Sequence, residues 1–165
     1  YARQNPEKKR NEPVDLAAVI KNTVGLLQYQ FQQDNIQLHA EADGVSSLVV
    51  LGNSGELEQV LTNLLLNARD ALGGAKGEIR VTTCRQLNEI HVTVADNGEG
   101  IAPERLSRIF EPFYTTKEPG RGTGLGLSVC HRIVKQHGGH ILVEGHLGQG
   151  TAFTVVLPIS PNPAP

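Results

Sequence analysis

The sequence lacks the marks of several common protein classes. It has 165 residues but no methionine, so we interpret it as a segment of a longer protein. It contains no apolar run long enough to span a membrane and no signal-peptide pattern. The net charge of −2 gives no general attraction to nucleic acid or to an anionic membrane surface. Any binding of phosphate groups must therefore be local.

Signatures of several kinds of catalysis are also absent. The two cysteines, Cys84 and Cys130, form no Cys-x-x-Cys pair, and we expect both to be reduced thiols in the core. The six histidines show no metal-ligand spacing, and we expect each to be structural or exposed. The sequence offers no credible Ser-His-Asp or Cys-His catalytic site. The patterns Gly-Lys-Ser/Thr and Gly-x-Gly-x-x-Gly do not occur, which disfavours the two commonest nucleotide-binding folds.

The periodicity of the apolar residues predicts alternating helices and strands. Helical spacing predicts a helix from Pro13 over 13–33, one capped by Ser54 and ended by Gly73 and Gly74, a short one over 103–109, and another over 125–137. Alternation predicts strands over 36–41, 47–51, 78–85, 89–96, 140–144 and 151–157, with the third and fourth forming a hairpin. These elements predict a two-layer α/β sandwich, with three helices on one face of a mixed sheet.

The composition of the two ends sets the expected domain boundaries. Residues 1–12 are charged and polar, as a linker would be. Residues 159–165 are rich in proline and predict a disordered tail. One folded domain is therefore expected over 13–158.

Polar residues line one face of the helix that follows Ser54. Glu56, Asn63, Asn67 and Asp70 share a face that borders the apolar stripe. A solvated helix flank is the plain interpretation. Asparagine is a poor helix former, however, and two of them one turn apart require a reason. A carboxamide oxygen that binds Mg²⁺ together with substrate phosphates would provide one.

Asp96 ends a predicted buried strand and is followed by Gly98 and Gly100. A buried carboxylate needs a hydrogen-bond donor, and the exocyclic amine of adenine is a suitable one. The two glycines would then let the base lie against the backbone. The alternative is an Asx turn formed by residues 96–98. Both interpretations remain open at this point.

A second glycine cluster, at residues 122–126, opens the last predicted helix. Free amides and the dipole at a helix N-terminus attract phosphate, and Lys117 and Arg121 can add positive charge. The loop between the two clusters carries Phe110 and Phe113 at its base. Its length predicts a lid or a binding element, although hydrophobic anchoring alone would also explain the two aromatic residues.

Taken together, these motifs resemble the catalytic and ATP-binding domain of bacterial sensor histidine kinases. Five motifs follow the family's order: an asparagine box at 58–71, glycine boxes at 96–101, 122–127 and 148–153, and a phenylalanine box at 110–117. The lid and the last helix are most similar to the nitrogen-regulation subgroup. The resemblance implies the Bergerat (GHKL) fold, a left-handed βαβ sandwich that binds ATP and Mg²⁺ under a lid.

The resemblance also implies roles for individual residues. Asn67 would bind Mg²⁺, and Asn63 would support the metal and the phosphates. Asp96 would accept a hydrogen bond from the adenine amine. Asn63, Asn67 and Lys117 would form the catalytic set. The other nucleotide contacts would come from Gly98, Gly100 and Ile101 at the base, Phe110, Thr115, Thr116, Lys117 and Arg121 in the lid, Gly122, Thr123, Gly124, Leu125, Gly126 and Leu127 at the phosphates, and Thr151 at the adenine end.

Two departures from the family's pattern shape the expected partners. Many members carry a lysine three residues after the metal-binding asparagine, where this chain has Asp70, so the positive charge must come from Lys117, Arg121 or elsewhere. No histidine here is followed by an acidic residue, as the phosphoacceptor would be. The acceptor is therefore expected on a separate dimerisation domain, and a response regulator receiver domain is the expected downstream partner. We expect a monomeric fragment of a homodimeric, cytoplasmic or inner-membrane-anchored protein.

Two other functions fit the same set of motifs. ATPases of this fold, such as type II topoisomerases, usually place a glutamate one turn before the metal-binding asparagine, to activate water. This chain has Asn63 there, and a neutral amide is a poor general base. The pattern therefore predicts that ATP survives until an imidazole nucleophile arrives. A nucleotide sensor that binds ATP and transfers nothing is the remaining alternative.

Overall fold

The computed structural model describes residues 12–42, 48–112, 114 and 126–159. Residues 1–11 of the predicted linker, most of the lid and residues 160–165 of the predicted tail lie outside the described residues. Glu12 pairs with Gly52, and the Ile159 N–H donates to the Asn88 carbonyl, so the described fold extends one residue beyond the predicted domain at each end. The described elements, in chain order, are β1 (Glu12–Asp15), α1 (Leu16–Gln33), β2 (Ile36–Ala42), β3 (Val49–Gly52), α2 (Ser54–Ala71), β4 (Gly77–Gln86), β5 (Glu89–Asp96), α3 (Pro103–Leu106), α4 (Gly126–Gln136), β6 (His140–His146) and β7 (Gly150–Pro158).

The main sheet has five strands in the order β2-β4-β5-β7-β6. β2 and β4 are parallel, and the other neighbouring pairs are antiparallel. The prediction of a mixed sheet is therefore confirmed, as is the β4–β5 hairpin. β1 and β3 form a separate antiparallel pair.

The core lies between one face of this sheet and the layer formed by α1, α2 and α4. Burial alternates along β5, where Ile90, Val92 and Val94 are buried and the residues between them are half-exposed. α2 is central, since it contacts α1, α4 and three strands of the sheet. Its Leu64 and Leu65 are almost completely buried, and each such side chain contributes about 2–3 kcal/mol through the hydrophobic effect. The predicted two-layer sandwich is confirmed.

The start of the first helix differs from the prediction. Pro13 is not helical but lies in β1, opposite Leu51 of β3. Proline lacks a donor and is tolerated on such a two-stranded edge. The helix begins at Leu16, because Asp15 is its N-cap and accepts hydrogen bonds from the N–H groups of Ala17 and Ala18.

Smaller corrections concern the cap of α2 and one cysteine. The N-cap is Asn53 rather than Ser54, and its Oδ1 accepts the Glu56 N–H at 2.9 Å. Cys84 is exposed, not in the core, because it lies on the face of β4 opposite to the buried Ile79 and Val81. α3 ends at Leu106, short of the predicted 109.

Candidate functional site

One end of the candidate site lies where β5 ends beside the start of β7. Asp96 and Thr151 stand directly opposite each other in the strand register, and both are buried. Asp96 Oδ1 accepts the Gly98 N–H at 2.9 Å, so the Asx turn is present. Burial raises the pKa of Asp96, the N–H groups of Gly98 and Thr151 lower this pKa, and Glu99 raises it again. The net rise in pKa shows that the carboxylate is held in a costly, poorly solvated position.

The hydroxyl of Thr151 lacks a partner. Among the described residues, its Oγ1 is the buried side-chain polar atom that makes no hydrogen bond. Leaving such a group unsatisfied costs about 1–3 kcal/mol. Gly145 of β6 pairs with Thr151, and a Cβ there would lie 3.5 Å from this Oγ1 and 3.3 Å from the Ile101 nitrogen. A side chain at position 145 would therefore press on Ile101, while it would meet the hydroxyl at an ordinary van der Waals distance.

The glycines around this end are required by backbone packing. A Cβ on Gly98 would lie 2.5 Å from the Ala71 carbonyl oxygen at the end of α2. Gly100 has a φ of +79°, and a Cβ there would collide with the His146 carbonyl. Gly150 has a φ of +94°, and a Cβ there would collide with the Asp96 carbonyl. The first glycine box is thus held between α2 and the β6–β7 turn, and its contact with a base stays a prediction.

The other end of the site is formed by α2 and the start of α4. Asn63 and Asn67 lie one turn apart on α2, and both are half-buried. Asn63 Nδ2 donates to the carbonyl of Gly126, the first residue of α4, at 3.4 Å. Within the described part of the chain, the Asn67 carboxamide makes no hydrogen bond. The structure therefore brings the asparagine box next to the helix start, at Gly126 and Leu127, that the sequence predicts to bind phosphate.

The base of the predicted lid packs on the domain. The Phe110 ring lies 5.4 Å from the His131 ring of α4 and 6.4 Å, edge-on, from the Phe153 ring of β7. The hydrophobic anchoring of Phe110 is observed, since these are favourable aromatic distances, while its contact with a nucleotide stays a prediction. The remaining predicted contacts lie outside the described residues: Phe113, Thr115, Thr116, Lys117, Arg121, Gly122, Thr123, Gly124 and Leu125.

The acidic side chain beside the asparagine box is weakly paired, and a metal ion bound there would need further ligands from elsewhere. Asp70 is exposed, and its Oδ1 lies 3.9 Å from Arg69 Nε, a distance that gives weak pairing at a surface. No group of three or more histidine, cysteine, aspartate or glutamate side chains among the described residues can hold a metal ion. A cation at this end would therefore depend on the Asn67 oxygen and on oxygens of a ligand, which is the kind of shell that Mg²⁺ accepts.

Two features of the site were not predicted from the sequence. Gly145 was missed, because a single glycine in a strand gives no signal of what packs against it. The pairing of Asp96 with Thr151 was also missed, since it depends on the register between two strands far apart in the chain. Within the described ranges, no helix is long and apolar enough to cross a membrane.

Comparisons with known proteins agree on one family. The profile of the family described as histidine kinase-, DNA gyrase B-, and HSP90-like ATPase matches residues 52–161. The two-component sensor PprA of Pseudomonas aeruginosa is 43% identical over 154 residues, which cover 90% of this chain but only 16% of PprA.

Solved structures show the same likeness. The nucleotide-free catalytic domain of histidine kinase ThkA has a TM-score of 0.80 and 34% identity, covering 89% of this chain and 94% of that one. Full-length ShkA in complex with AMPPNP has a TM-score of 0.80 and 30% identity, covering 93% and 32%. ThkA in complex with the response regulator protein TrrA has a TM-score of 0.77 and 30% identity, covering 93% and 43%.

Proposed function

Because the chain belongs to the histidine kinase-, DNA gyrase B-, and HSP90-like ATPase family, we propose that it binds ATP as the kinase domain of a sensor histidine kinase. In this proposal it transfers the γ-phosphoryl group of ATP to a histidine on a separate dimerisation domain. The similarity to PprA and to the catalytic domain of ThkA supports this assignment.

The observation that carries the proposal is the buried pair Asp96 and Thr151. The Asp96 carboxylate can accept the exocyclic amine of adenine, and the unpartnered Thr151 hydroxyl can donate to a ring nitrogen of the same base. A guanine would instead bring its carbonyl oxygen towards the carboxylate, which leaves two acceptors facing each other. A site built this way discriminates strongly, since the wrong base leaves buried polar groups unpaired. ATP is therefore the expected substrate, and GTP is not.

The opposite end of the site suits a triphosphate. Asn67 would hold Mg²⁺ through its carboxamide oxygen, and the ion, when bound, would neutralise phosphate charge. The backbone amides at the start of α4 would bind phosphate oxygens. Lys117, Arg121 and residues 122–125 complete this end in the proposal. Its fit to the group is supported by an Asn67 side chain that is half-buried and has no hydrogen-bond partner among the described residues.

The residue at position 63 favours phosphoryl transfer over hydrolysis. Asn63 donates to the Gly126 carbonyl at 3.4 Å, so its amide is already used in a structural contact and has no basic group to activate water. In the proposed step, the bond between the γ-phosphorus and the bridging oxygen breaks, and ADP leaves. A bond forms from the same phosphorus to an imidazole nitrogen of the acceptor histidine, which loses its proton. Positioning and charge neutralisation provide most of the catalysis in such a step.

The proposal extends to partners and location. The solved complex of ThkA with TrrA supports a response regulator receiver domain as the downstream partner. A dimerisation domain would supply the acceptor histidine and make the whole protein a homodimer, while this fragment alone would be monomeric. We place the domain in the cytoplasm, where its proposed substrate ATP is available.

Phosphoryl transfer can be tested directly. The fragment is mixed with a dimeric helical domain of a histidine kinase and with Mg²⁺ and γ-³²P-ATP. Label that is lost in acid and retained in alkali is expected on the helical domain. Tight ATP binding without any label would support the sensor alternative instead.

Hydrolysis provides the matched control. Asn63→Glu restores the general base of the related ATPases and is expected to raise phosphate release by the isolated fragment, whereas Asn63→Gln is not. Release that is already rapid in the unmodified chain would favour an ATPase over a kinase.

A further inference from the structure

Helices α2 and α4 are joined by three polar contacts in an antiparallel register. Asn53 and His137, Val60 and Cys130, and Asn63 and Gly126 form the three pairs, at 3.1, 3.6 and 3.4 Å. The three residues on the α2 side follow one another at intervals of seven and three residues. Their partners on the α4 side run in the opposite direction, at intervals of seven and four. We call this line of contacts the α2–α4 seam.

The end of the seam at His137 has a defined protonation state. His137 is buried, and its Nδ1 lies 2.8 Å from the Ile133 carbonyl oxygen. Since a carbonyl only accepts, Nδ1 carries the proton. Nε2 then accepts the Asn53 N–H at 3.1 Å. Only the neutral Nδ1–H tautomer satisfies both contacts.

The surrounding backbone is shaped to hold this ring. α4 ends in a Schellman turn, with Gly138 at a φ of +78° and its N–H donating to the Lys135 carbonyl. On the opposite side, a Cβ on Gly52 would lie 2.5 Å from Cδ2 and 2.7 Å from Nε2 of His137. A side chain at position 52 would therefore collide with the imidazole, and the ring has little room to move on this side.

The contact of His137 is made to the beginning of the asparagine-box helix. Asn53 is the N-cap of α2, and its own side chain accepts the Glu56 N–H at 2.9 Å. Asn63 lies about 15 Å further along the same helix at 1.5 Å per residue, and it contacts the first residue of α4. The seam is thus fixed at both ends, once by His137 and once by Asn63.

We propose that His137 is a positioning residue for the nucleotide site. Its neutral imidazole fixes α2 against α4 along the seam. It thereby sets how Asn63 and Asn67 stand relative to the start of α4. This inference rests on the proposed function, in which those two regions together hold the phosphates and Mg²⁺. In this proposal, His137 itself contacts neither the phosphates nor Mg²⁺.

Two substitutions separate positioning from stability. In His137→Gln, Oε1 reaches about as far as Nε2 and can accept the Asn53 N–H. In His137→Asn, the amide is too short and leaves that N–H unpaired. We expect His137→Asn to weaken binding of a fluorescent Mg²⁺–ATP analogue about tenfold, with the affinity restored to within about threefold in His137→Gln. His140→Asn, an exposed histidine on β6, is the control and should bind like the unmodified chain.

Affinity is measured under conditions in which far-UV circular dichroism shows that all variants are folded. If His137→Asn and His137→Gln bind equally well, whether both like the unmodified chain or both weakly, the inference is overturned. Failure of the unmodified chain itself to bind nucleotide would overturn the proposed function, which is a separate result.

The tautomer of His137 and the position of α4 against α2 are tested independently by ¹⁵N NMR without nucleotide. The imidazole of His137 should show a protonated Nδ1 and an unprotonated Nε2. The Gly126 amide signal should move in His137→Asn and return in His137→Gln. An Nε2–H tautomer, or a Gly126 signal that is unchanged in His137→Asn, would contradict the inference whatever the nucleotide affinity is.

Discussion

The two ends of the site are positioned by different means. At the base end, Asp96 and Thr151 are neighbours in a five-stranded sheet, and their relative position is set by backbone pairing. At the phosphate end, Asn63 and Asn67 lie on α2, which packs against α4, and Asn63 Nδ2 donates to the Gly126 carbonyl at 3.4 Å. The first end is buried, while the second is half-exposed.

This difference predicts how each end responds to mutation. Backbone pairing does not depend on the side chains, so a substitution at the base end removes a chemical group without moving its neighbours. A change in the α2–α4 seam moves the groups themselves. Affinity lost at the base end should therefore be specific to the base. Affinity lost at the phosphate end should depend on Mg²⁺ and on the number of phosphates.

The largest effect is expected for Asp96→Asn. The carboxylate is replaced by a neutral amide that can turn an N–H₂ towards the adenine amine, so the charge-assisted hydrogen bond is lost. Affinity for ATP should fall about 100-fold, as measured by isothermal titration calorimetry.

The matched control is Glu99→Gln, a neighbouring exposed carboxylate, which should change the affinity less than about threefold. An Asp96→Asn variant that binds ATP as the unmodified chain does would remove Asp96 from the site. A parallel gain of affinity for GTP would instead support its role in choosing the base.

The next effect is expected for Asn67→Ala. Removal of the carboxamide should reduce affinity for ATP about tenfold when Mg²⁺ is present and change it little in EDTA. Gln59→Ala, an exposed position on the same helix, serves as the control. An equal loss with and without Mg²⁺ would show that Asn67 contacts the nucleotide directly rather than the metal.

A smaller effect on affinity, with an unusual effect on stability, is expected for Thr151→Val. Its hydroxyl has no hydrogen bond in the protein, so its removal should leave the free energy of unfolding unchanged or raise it, while ATP affinity falls about fivefold. Urea unfolding and calorimetry measure the two quantities.

Thr154→Val on the same strand should behave in the opposite way. The Thr154 hydroxyl pairs with the Thr93 hydroxyl at 2.9 Å, so this variant should lose about 1 kcal/mol of stability and no affinity. If Thr151→Val is destabilised without loss of affinity, the hydroxyl has a structural role and no ligand.

The comparison also separates what the sequence could predict from what it could not. α2 and the β4–β5 hairpin were predicted because strong periodicity is a local signal. Asp96 could be proposed as a site residue because a carboxylate followed by glycines at the end of a strand is likewise a local signal. β1 was missed because four residues become a strand only by pairing with β3. Two contacts depend on tertiary register, which composition and spacing do not encode. They are the strand pairing of Asp96 with Thr151 and the hydrogen bond from the Asn53 N–H to His137.

The alternation of residues along β4 was a signal in the sequence that places Cys84 at the surface. Cys84 was predicted to be buried, yet alternation from Ile79 and Val81 places position 84 on the other face of the strand. For His137, by contrast, no pattern distinguished a ring that joins two helices from an ordinary core histidine, because its partner is a backbone N–H.

The smallest effect concerns pH and again sets the base end apart. Burial raises the pKa of Asp96 above its ordinary value of 3.8, so over the interval between the two values the folded chain binds more protons than the unfolded chain. The contribution of Asp96 to stability therefore falls as pH rises through that interval.

ATP affinity should change in the opposite direction, because the carboxylate accepts the adenine amine only when ionised. Each slope is taken relative to Asp96→Asn, which cancels the titration of ATP and of other groups. Both slopes end at the pKa of Asp96 in the folded, nucleotide-free chain, so stability and affinity should level off at the same pH, above 3.8, in urea unfolding and in calorimetry. Slopes of the same sign, or a stability difference that does not vary with pH, would mean that the carboxylate is not the desolvated acceptor that the strand register places beside Thr151.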